Sequence, residues 1–183
     1  MKRFPTRWDK PRFVCDVHLA KTAKYLRLLG FDTVWRNDID DDEIVGMCRM
    51  GRIGLTADRR LQARCPRRIV LMQGEAPEIQ VRRLVAMFGL RRCAHPFSRS
   101  LCCNRPMAPC DKRDCFGQIP KETYRWLEGF WRCSRCGKVY WQGTHASRMR
   151  RKIVELLGYR KNVLGNQEGN EANVVTPRGL EPL

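Results

Sequence analysis

Three acidic residues near the start of the chain lie at the end of a short apolar run or at the start of a helical pattern. Asp16 follows the run 12–15, Asp58 follows the run 53–57, and Asp41 heads a helical pattern. In an open α/β sheet the carboxyl ends of parallel strands face one crevice, so acids at these ends converge on one point. Converging carboxylates repel one another unless a cation holds them, and Mg²⁺ or Mn²⁺ suits such oxygen ligands. The pattern therefore predicts a metal site with Asp16, Asp41 and Asp58 as ligands.

The rest of the chain carries a large excess of positive charge. It has 36 Lys and Arg against 19 Asp and Glu, a formal net charge of +17. Such a surface attracts a polyanion, and contacts to phosphates bring affinity with little sequence preference. Together with the acidic site, the charge predicts a metal-dependent nuclease. In this hypothesis Asp16 and Asp58 hold an ion that activates water, and Asp41 holds a second near the leaving oxygen.

Phosphotransfer domains also place an acid after their first strand, and they need a second signature. A phosphatase of the haloacid-dehalogenase type needs another Asp two residues on, where His18 stands. A response-regulator receiver needs a neighbouring acidic pair before its phosphoacceptor strand. Neither signature is present in this sequence, so both classes are disfavoured.

The elements that must position the three acids follow from the hydrophobic pattern. Strands are predicted at 12–16, 31–35, 52–56 and 68–72, and they alternate with helices at 19–30, from 41 to about 51, and at 58–65. Apolar residues at helical spacing, Val81, Leu84, Val85 and Phe88, predict a closing helix. This βαβαβαβα order predicts a parallel sheet with helices on both faces.

Beyond residues 91–97 the alternation ends and Cys, Pro and Arg become frequent. Two aromatic strand segments enclose Cys133-x-x-Cys136-Gly137, a tight turn typical of zinc-binding modules. The partner pair is less distinct, because Cys102 and Cys103 are adjacent and Cys110 and Cys115 follow further on. A basic helix is predicted from Thr144 to Leu157.

Hydropathy, cysteine usage and the composition of the last residues predict the location of the protein and the extent of its ordered part. No apolar run approaches the roughly 20 residues of a membrane-spanning helix, and the first residues lack the apolar core of a signal peptide. We therefore expect a cytoplasmic protein that does not bind membranes, in which paired cysteines hold metal more readily than disulfides. From Asn162 onward the chain is polar and aperiodic, which predicts a disordered tail over 162–183.

Four stretches, at 16–32, 41–44, 51–58 and 130–141, together resemble the Mut-seven C-terminal ribonuclease family. The similarity covers roughly residues 12–152 and implies a PIN-like nuclease domain (1–92), a zinc-ribbon module (98–158) and an RNA substrate. By this resemblance Asp16, Asp41 and Asp58 fall on the acidic active-site positions, with Glu43 in reserve for Asp41. The zinc-ligand positions correspond to Cys103, Cys133 and Cys136.

The chain departs from the family pattern at two positions. Ser100 stands where the first cysteine of the leading pair is expected, so Cys102, His145 or a downstream cysteine supplies the fourth ligand, or the metal is lost. We favour Cys102. Arg60 stands near a further acid of many PIN nucleases, which indicates fewer than two catalytic ions. The alternative function is a non-catalytic zinc-ribbon RNA-binding protein with a vestigial acidic pocket.

Overall fold

The structure is a computed structural model that describes residues 10–141 and 144–158, with the backbone alone at 144 and 145. The predicted tail at 162–183 lies outside the described residues. Within them, no helix is both long enough and apolar enough to cross a membrane.

Four short strands form one parallel sheet in the order β2-β1-β3-β4. They are β1 (Phe13–Cys15), β2 (Thr33–Val34), β3 (Ile53–Thr56) and β4 (Ile69–Leu71). The helices between and after them are α1 (Ala20–Leu28), α2 (Asp41–Arg49), α3 (Arg59–Arg64) and α4 (Pro77–Phe88). The α/β prediction is confirmed. The observed strands are shorter than predicted, most of all β2.

Side chains of β1 alternate between two apolar layers, as the pleat of a strand requires. Phe13 and Cys15 pack in a large cluster with α1 and α4, whereas Val14 packs with Ile44 of α2 and Leu61 of α3. All three β1 residues are fully buried. Helices therefore cover both faces of the sheet, which leaves its edges for a functional site.

A second, antiparallel sheet follows in the order β5-β6-β7. Its strands are β5 (Met107–Cys110), β6 (Phe130–Cys133) and β7 (Val139–Trp141). The strands β6 and β7 were predicted around the cysteine turn, but β5 and the short helix α5 (Lys121–Trp126) were not. Pro109 is compatible with β5 because this strand pairs with β6 alone and is therefore an edge strand. A proline has no amide hydrogen to donate, so it would leave a central strand one hydrogen bond short.

The last described helix, α6 (Thr144–Leu157), belongs to the large core of the parallel sheet. Ile153, Leu156 and Leu157 of α6 and Trp131 of β6 are buried in the same cluster as Phe13. The division of the chain into two modules, residues 1–92 and 98–158, stays a prediction. The buried contacts of β6 and α6 with the parallel sheet cross this boundary.

Gly30 follows α1 and lies against residues 95–98, which lead into the second sheet. Its φ is +86°, and an added Cβ would lie 2.0 Å from the carbonyl oxygen of His95. We expect Gly30→Ala to lower the free energy of unfolding by at least about 2 kcal/mol, because strain at positive φ adds to steric overlap. Gly46→Ala is the control, since nothing lies within 4 Å there and alanine favours α2. Urea denaturation measures both, and an equal effect of the two changes would contradict the expectation.

Candidate functional site

Asp16 directly follows β1 and is 5% exposed. Its Oδ1 accepts a hydrogen bond from the amide of His18 at 2.9 Å, which caps a short 3-10 turn before α1. Its Oδ2 accepts from the amide of Ala57 at 2.9 Å and from the hydroxyl of Thr56. An ionised carboxylate has about four lone-pair sites, so three bonds fix its orientation and leave room for one further partner.

The hydroxyl of Thr56 connects Asp16 with the loop that carries Asp58. Thr56 donates to Asp16 and accepts from the amide of Asp58 at 2.9 Å. This contact follows from the register, because Cys15 of β1 pairs with Leu55 of β3 and the next residues are Asp16 and Thr56. Asp58 is exposed, and its Oδ1 caps α3 by accepting from the amide of Arg60 at 2.7 Å. Its other oxygen has no hydrogen bond to the described residues and is available at the same sheet edge.

The acidic run at the start of α2 divides into engaged and available carboxylates. Asp40 caps the helix by accepting from the amide of Glu43 at 2.7 Å. Asp42 pairs with Arg64, and Glu43 pairs with Arg36. Asp41 is exposed and, within the described ranges, has no hydrogen bond or ion pair. Of this run, Asp41 is therefore the carboxylate most available to a cation.

Asp16 and Asp58 lie at one edge of the sheet, because β1 and β3 are parallel and each of these acids follows the carboxyl end of one of them. Asp41 begins α2, the helix that follows the parallel strand β2. The three acids do not form a closed cluster. Among residues 10–141 and 146–158, the one group of three possible ligands within 4.8 Å of one another consists of cysteines. Mg²⁺ usually keeps several waters and takes one or two protein carboxylates together with substrate phosphates. The available oxygens of Asp16, Asp41 and Asp58 fit such an open shell.

Two turns in the cysteine-rich part share one backbone pattern. In the turn 133–137, the amide of Gly137 donates to Cys133 O at 3.0 Å and the amide of Cys133 donates to Lys138 O at 3.0 Å. In the turn 100–104, Asn104 donates to Ser100 O at 3.1 Å and Ser100 donates to Arg105 O at 2.9 Å. Gly137 and Asn104 both have positive φ, +70° and +57°. Ser100 thus occupies the position in its turn that Cys133 occupies in the other.

Side-chain atoms of both turns meet around the hydroxyl of Ser100. Its Oγ lies 3.3 Å from Cys133 Sγ and 4.0 Å from Cys102 Sγ, and it accepts from the Cys103 amide at 3.2 Å. Cys102, Cys103 and Cys136 form the group within 4.8 Å, with Cys102 Sγ and Cys136 Sγ 3.7 Å apart. Two thiolates on one tetrahedral zinc, each at about 2.3 Å, lie about 3.8 Å apart. Three of the four predicted ligands, Cys102, Cys103 and Cys136, thus lie together, and the distance between the sulfurs of Cys102 and Cys136 fits one zinc ion. Cys133 lies outside this group, with its sulfur next to the Ser100 hydroxyl.

Comparison with known proteins identifies a family for this chain. The family model described as Mut7-C RNAse domain matches residues 11–153. This range includes Asp16, Asp41 and Asp58 as well as the two cysteine turns. The chain belongs to the Mut7-C RNAse domain family. The predicted family membership is confirmed, and it indicates a nuclease-like function. Neither a search of curated proteins nor one of solved structures gave a match.

In this Mut7-C RNAse domain, burial and hydrogen bonds shift the pKa values of the turn cysteines in different directions. Burial favours the neutral thiol of Cys133, but hydrogen bonds from Ser100 and from the amides of Cys136 and Arg135 outweigh it and lower the pKa to about 7. Burial opposes ionisation of Cys102 as well, yet bonds from Tyr140 and neighbouring thiols lower its pKa. For Cys103, burial and bonds to Cys102 and Cys136 raise the pKa to about 12. A bound divalent cation favours the thiolate form of all its ligands.

Arg27 anchors the first cysteine turn to the Mut7-C parallel sheet. This 4% exposed side chain donates hydrogen bonds to the carbonyls of Leu101 at 2.8 Å and Cys102 at 3.1 Å, and others to residues of the β2 region. Burial lowers its pKa. Asn104 reinforces the link, since its Nδ2 donates to Asp32 at 2.7 Å. The two candidate metal sites are thereby held in one framework.

The sequence analysis missed two residues that organise these sites. Thr56 was treated only as part of a strand, although its hydroxyl connects Asp16 with the amide of Asp58. The hydroxyl of Tyr140 lies 3.3 Å from Cys102 Sγ, whereas the sequence placed this residue only within an aromatic strand segment. A hydroxyl residue at the end of a strand, two residues before a candidate acid, was the available signal for Thr56.

Proposed function

We propose that this chain is a metal-dependent ribonuclease that hydrolyses RNA phosphodiester bonds at Asp16, Asp41 and Asp58 with Mg²⁺ or Mn²⁺. The observation that supports it most is the Thr56 hydroxyl between Asp16 and the Asp58 loop at the carboxyl edge of adjacent parallel strands. Membership of an RNAse domain family supports RNA as the substrate. A PIN-like nuclease domain is the corresponding proposal for the α/β part.

Each acid has a separate task in this proposal. Asp16, fixed by three hydrogen bonds, provides a carboxylate whose orientation is set before substrate arrives. Asp58 and Asp41 approach from the start of α3 and the start of α2, and both are exposed enough to keep water in the shell. When bound, the cation supplies an activated water and stabilises charge on the phosphate. The carboxylates position the cation and do not act as nucleophiles.

We further propose a structural Zn²⁺ held by Cys103, Cys133 and Cys136, with Cys102 as the fourth ligand in a zinc ribbon. Support comes from the matched turns and the 3.7 Å between the sulfurs of Cys102 and Cys136. A module with a small apolar core gains stability from such an ion. The zinc fixes the cysteine turns and takes no part in hydrolysis.

The nuclease proposal is tested by incubating purified protein with a single-stranded RNA oligonucleotide. We expect cleavage when Mn²⁺ or Mg²⁺ is added and none without it, because the three carboxylates act only through the cation. Heat-treated protein and a DNA oligonucleotide of equal sequence are the controls. RNA that is bound but left intact with either ion would favour the non-catalytic RNA-binding alternative, which agrees with the open arrangement of the three acids.

A further inference from the structure

A groove runs between α1 and α6. It has a volume of about 600 Å³, and half of its eight lining residues are cationic. From α1 come Lys21 and Lys24, and from α6 come Arg148 and Lys152. Lys21 lies in the first turn of α1, just after the 3-10 turn that Asp16 caps. One end of the groove therefore begins near the candidate active site.

The positive charge of the groove is only partly balanced. Glu78 lies 3.4 Å from Lys21 and 3.5 Å from Lys152, and Lys152 also pairs with Glu155. The hydroxyl of Tyr25 donates to Glu78 at 2.6 Å. By contrast, Lys24 and Arg148 have no ion pair or hydrogen bond within the portion of the chain that the structure describes. Two cations facing one groove without an acid favour an anionic ligand.

An apolar pocket of about 320 Å³ continues from the groove. The two share Leu28, Leu101 and Met149 in their walls. Further along, the pocket is lined by Tyr140 and Trp141 of β7. An aromatic wall next to a basic groove suits a nucleobase attached to phosphates, since a base stacks on an aromatic side chain while its backbone contacts cations.

We propose that this groove binds single-stranded RNA, with phosphates on Lys24 and Arg148 and one base in the pocket beside Trp141. The inference rests on the proposed function, because it gives the path by which an RNA strand reaches Asp16. A single strand is required, because a base paired and stacked in a duplex cannot enter a side pocket. The second module then acts as a wall of the substrate path in addition to holding zinc.

The test measures binding separately from cleavage. Fluorescence anisotropy with a labelled single-stranded RNA, in buffer without added Mg²⁺ or Mn²⁺, gives Kd for the double variant Lys24→Ala/Arg148→Ala. Because this variant lacks two cations that neutralise phosphates, we expect the slope of log K against log salt to fall by about 1.4 and binding to weaken roughly 20-fold at 0.1 M salt. The control Arg49→Ala/Arg67→Ala removes the same charge from exposed positions outside the groove. Equal weakening of both double variants would overturn the proposal.

Photo-crosslinking locates the base. An RNA that contains 4-thiouridine should crosslink to peptides with Tyr140, Trp141 or Met149, and crosslinks confined to other peptides would overturn the base pocket. Crosslinking in the groove without Mn²⁺-dependent cleavage supports the groove and counts against the nuclease proposal. Cleavage with unchanged Kd in the Lys24→Ala/Arg148→Ala variant overturns the groove alone.

Discussion

Replacing Asp16 by Asn should abolish RNA cleavage and leave RNA binding nearly unchanged. Asparagine removes the negative charge that holds a divalent cation, while the basic surface is untouched. Loss of a residue that only supports a metal ligand costs about 10–100-fold, so loss of a ligand should lower the cleavage rate by more than about 100-fold. The cleavage rate at saturating Mn²⁺ and Kd for RNA without added Mn²⁺ or Mg²⁺ are the two measurements.

Asp16→Asn also affects folding, because an amide cannot accept all three hydrogen bonds that the carboxylate accepts. One unsatisfied buried donor costs about 1–3 kcal/mol, so the variant's fold must be checked by circular dichroism. Asp58→Asn avoids this difficulty, since asparagine caps a helix as well as aspartate does. We expect it to keep its stability and lose most of its activity.

Asp42→Asn is the matched control for both variants. Asp42 belongs to the acidic run at the start of α2, but it is engaged by Arg64 and is not a proposed ligand. Its cleavage rate should stay within about twofold of the unmodified protein, because the site acids are intact. Cleavage that survives Asp16→Asn and Asp58→Asn in buffer with Mn²⁺ would refute the proposed site.

The sequence was sufficient to predict the α/β sheet because its signals are local. Each strand is a short apolar run, and α1, α2 and α4 show apolar residues at helical spacing that end near Gly30, Gly51 and Gly89. The edge strand β5 has no such pattern: it contains Pro109 and its residues are half-buried or exposed. Helix α5 has no fully buried residue. Strand β5 depends on its pairing with β6, a partner distant in sequence that periodicity does not reveal.

The candidate site was likewise only partly predictable from the sequence. Asp16 and Asp58 were identifiable as candidates because each follows a strand, and capping engages only one oxygen of each carboxylate. The contact between Thr56 and Asp16 depends on the register of β1 and β3, which only the structure supplies. Likewise, Ser100 was recognised as a departure, but its equivalence to Cys133 became evident only from the matched backbone bonds of the two turns.

The second prediction with a large expected effect concerns the zinc content of the protein. We expect about one zinc per chain in the purified protein, and Cys133→Ser should remove most of it, because the thiolate of this 1% exposed residue has no substitute in its turn. Chelation should loosen the second sheet while the α/β part stays folded, because most buried residues of its two layers come from the strands and helices between Phe13 and Leu90. Elemental analysis and hydrogen exchange measure the two effects. Cys93→Ser is the control, since its sulfur contacts a backbone carbonyl away from the turns.

Combined substitutions at positions 100 and 102 identify the fourth zinc ligand. Ser100→Cys places a thiolate at the position matching Cys133, so zinc affinity, measured by competition with a chromophoric chelator, should rise by more than about tenfold. If Cys102 is the present ligand, Cys102→Ser should lower zinc affinity while residue 100 is serine and have little effect once it is cysteine. His145→Ala tests the competing ligand, whose side chain lies outside the described part. Loss of affinity in His145→Ala, with Cys102→Ser unchanged, would exclude Cys102 and assign the fourth position to the start of α6.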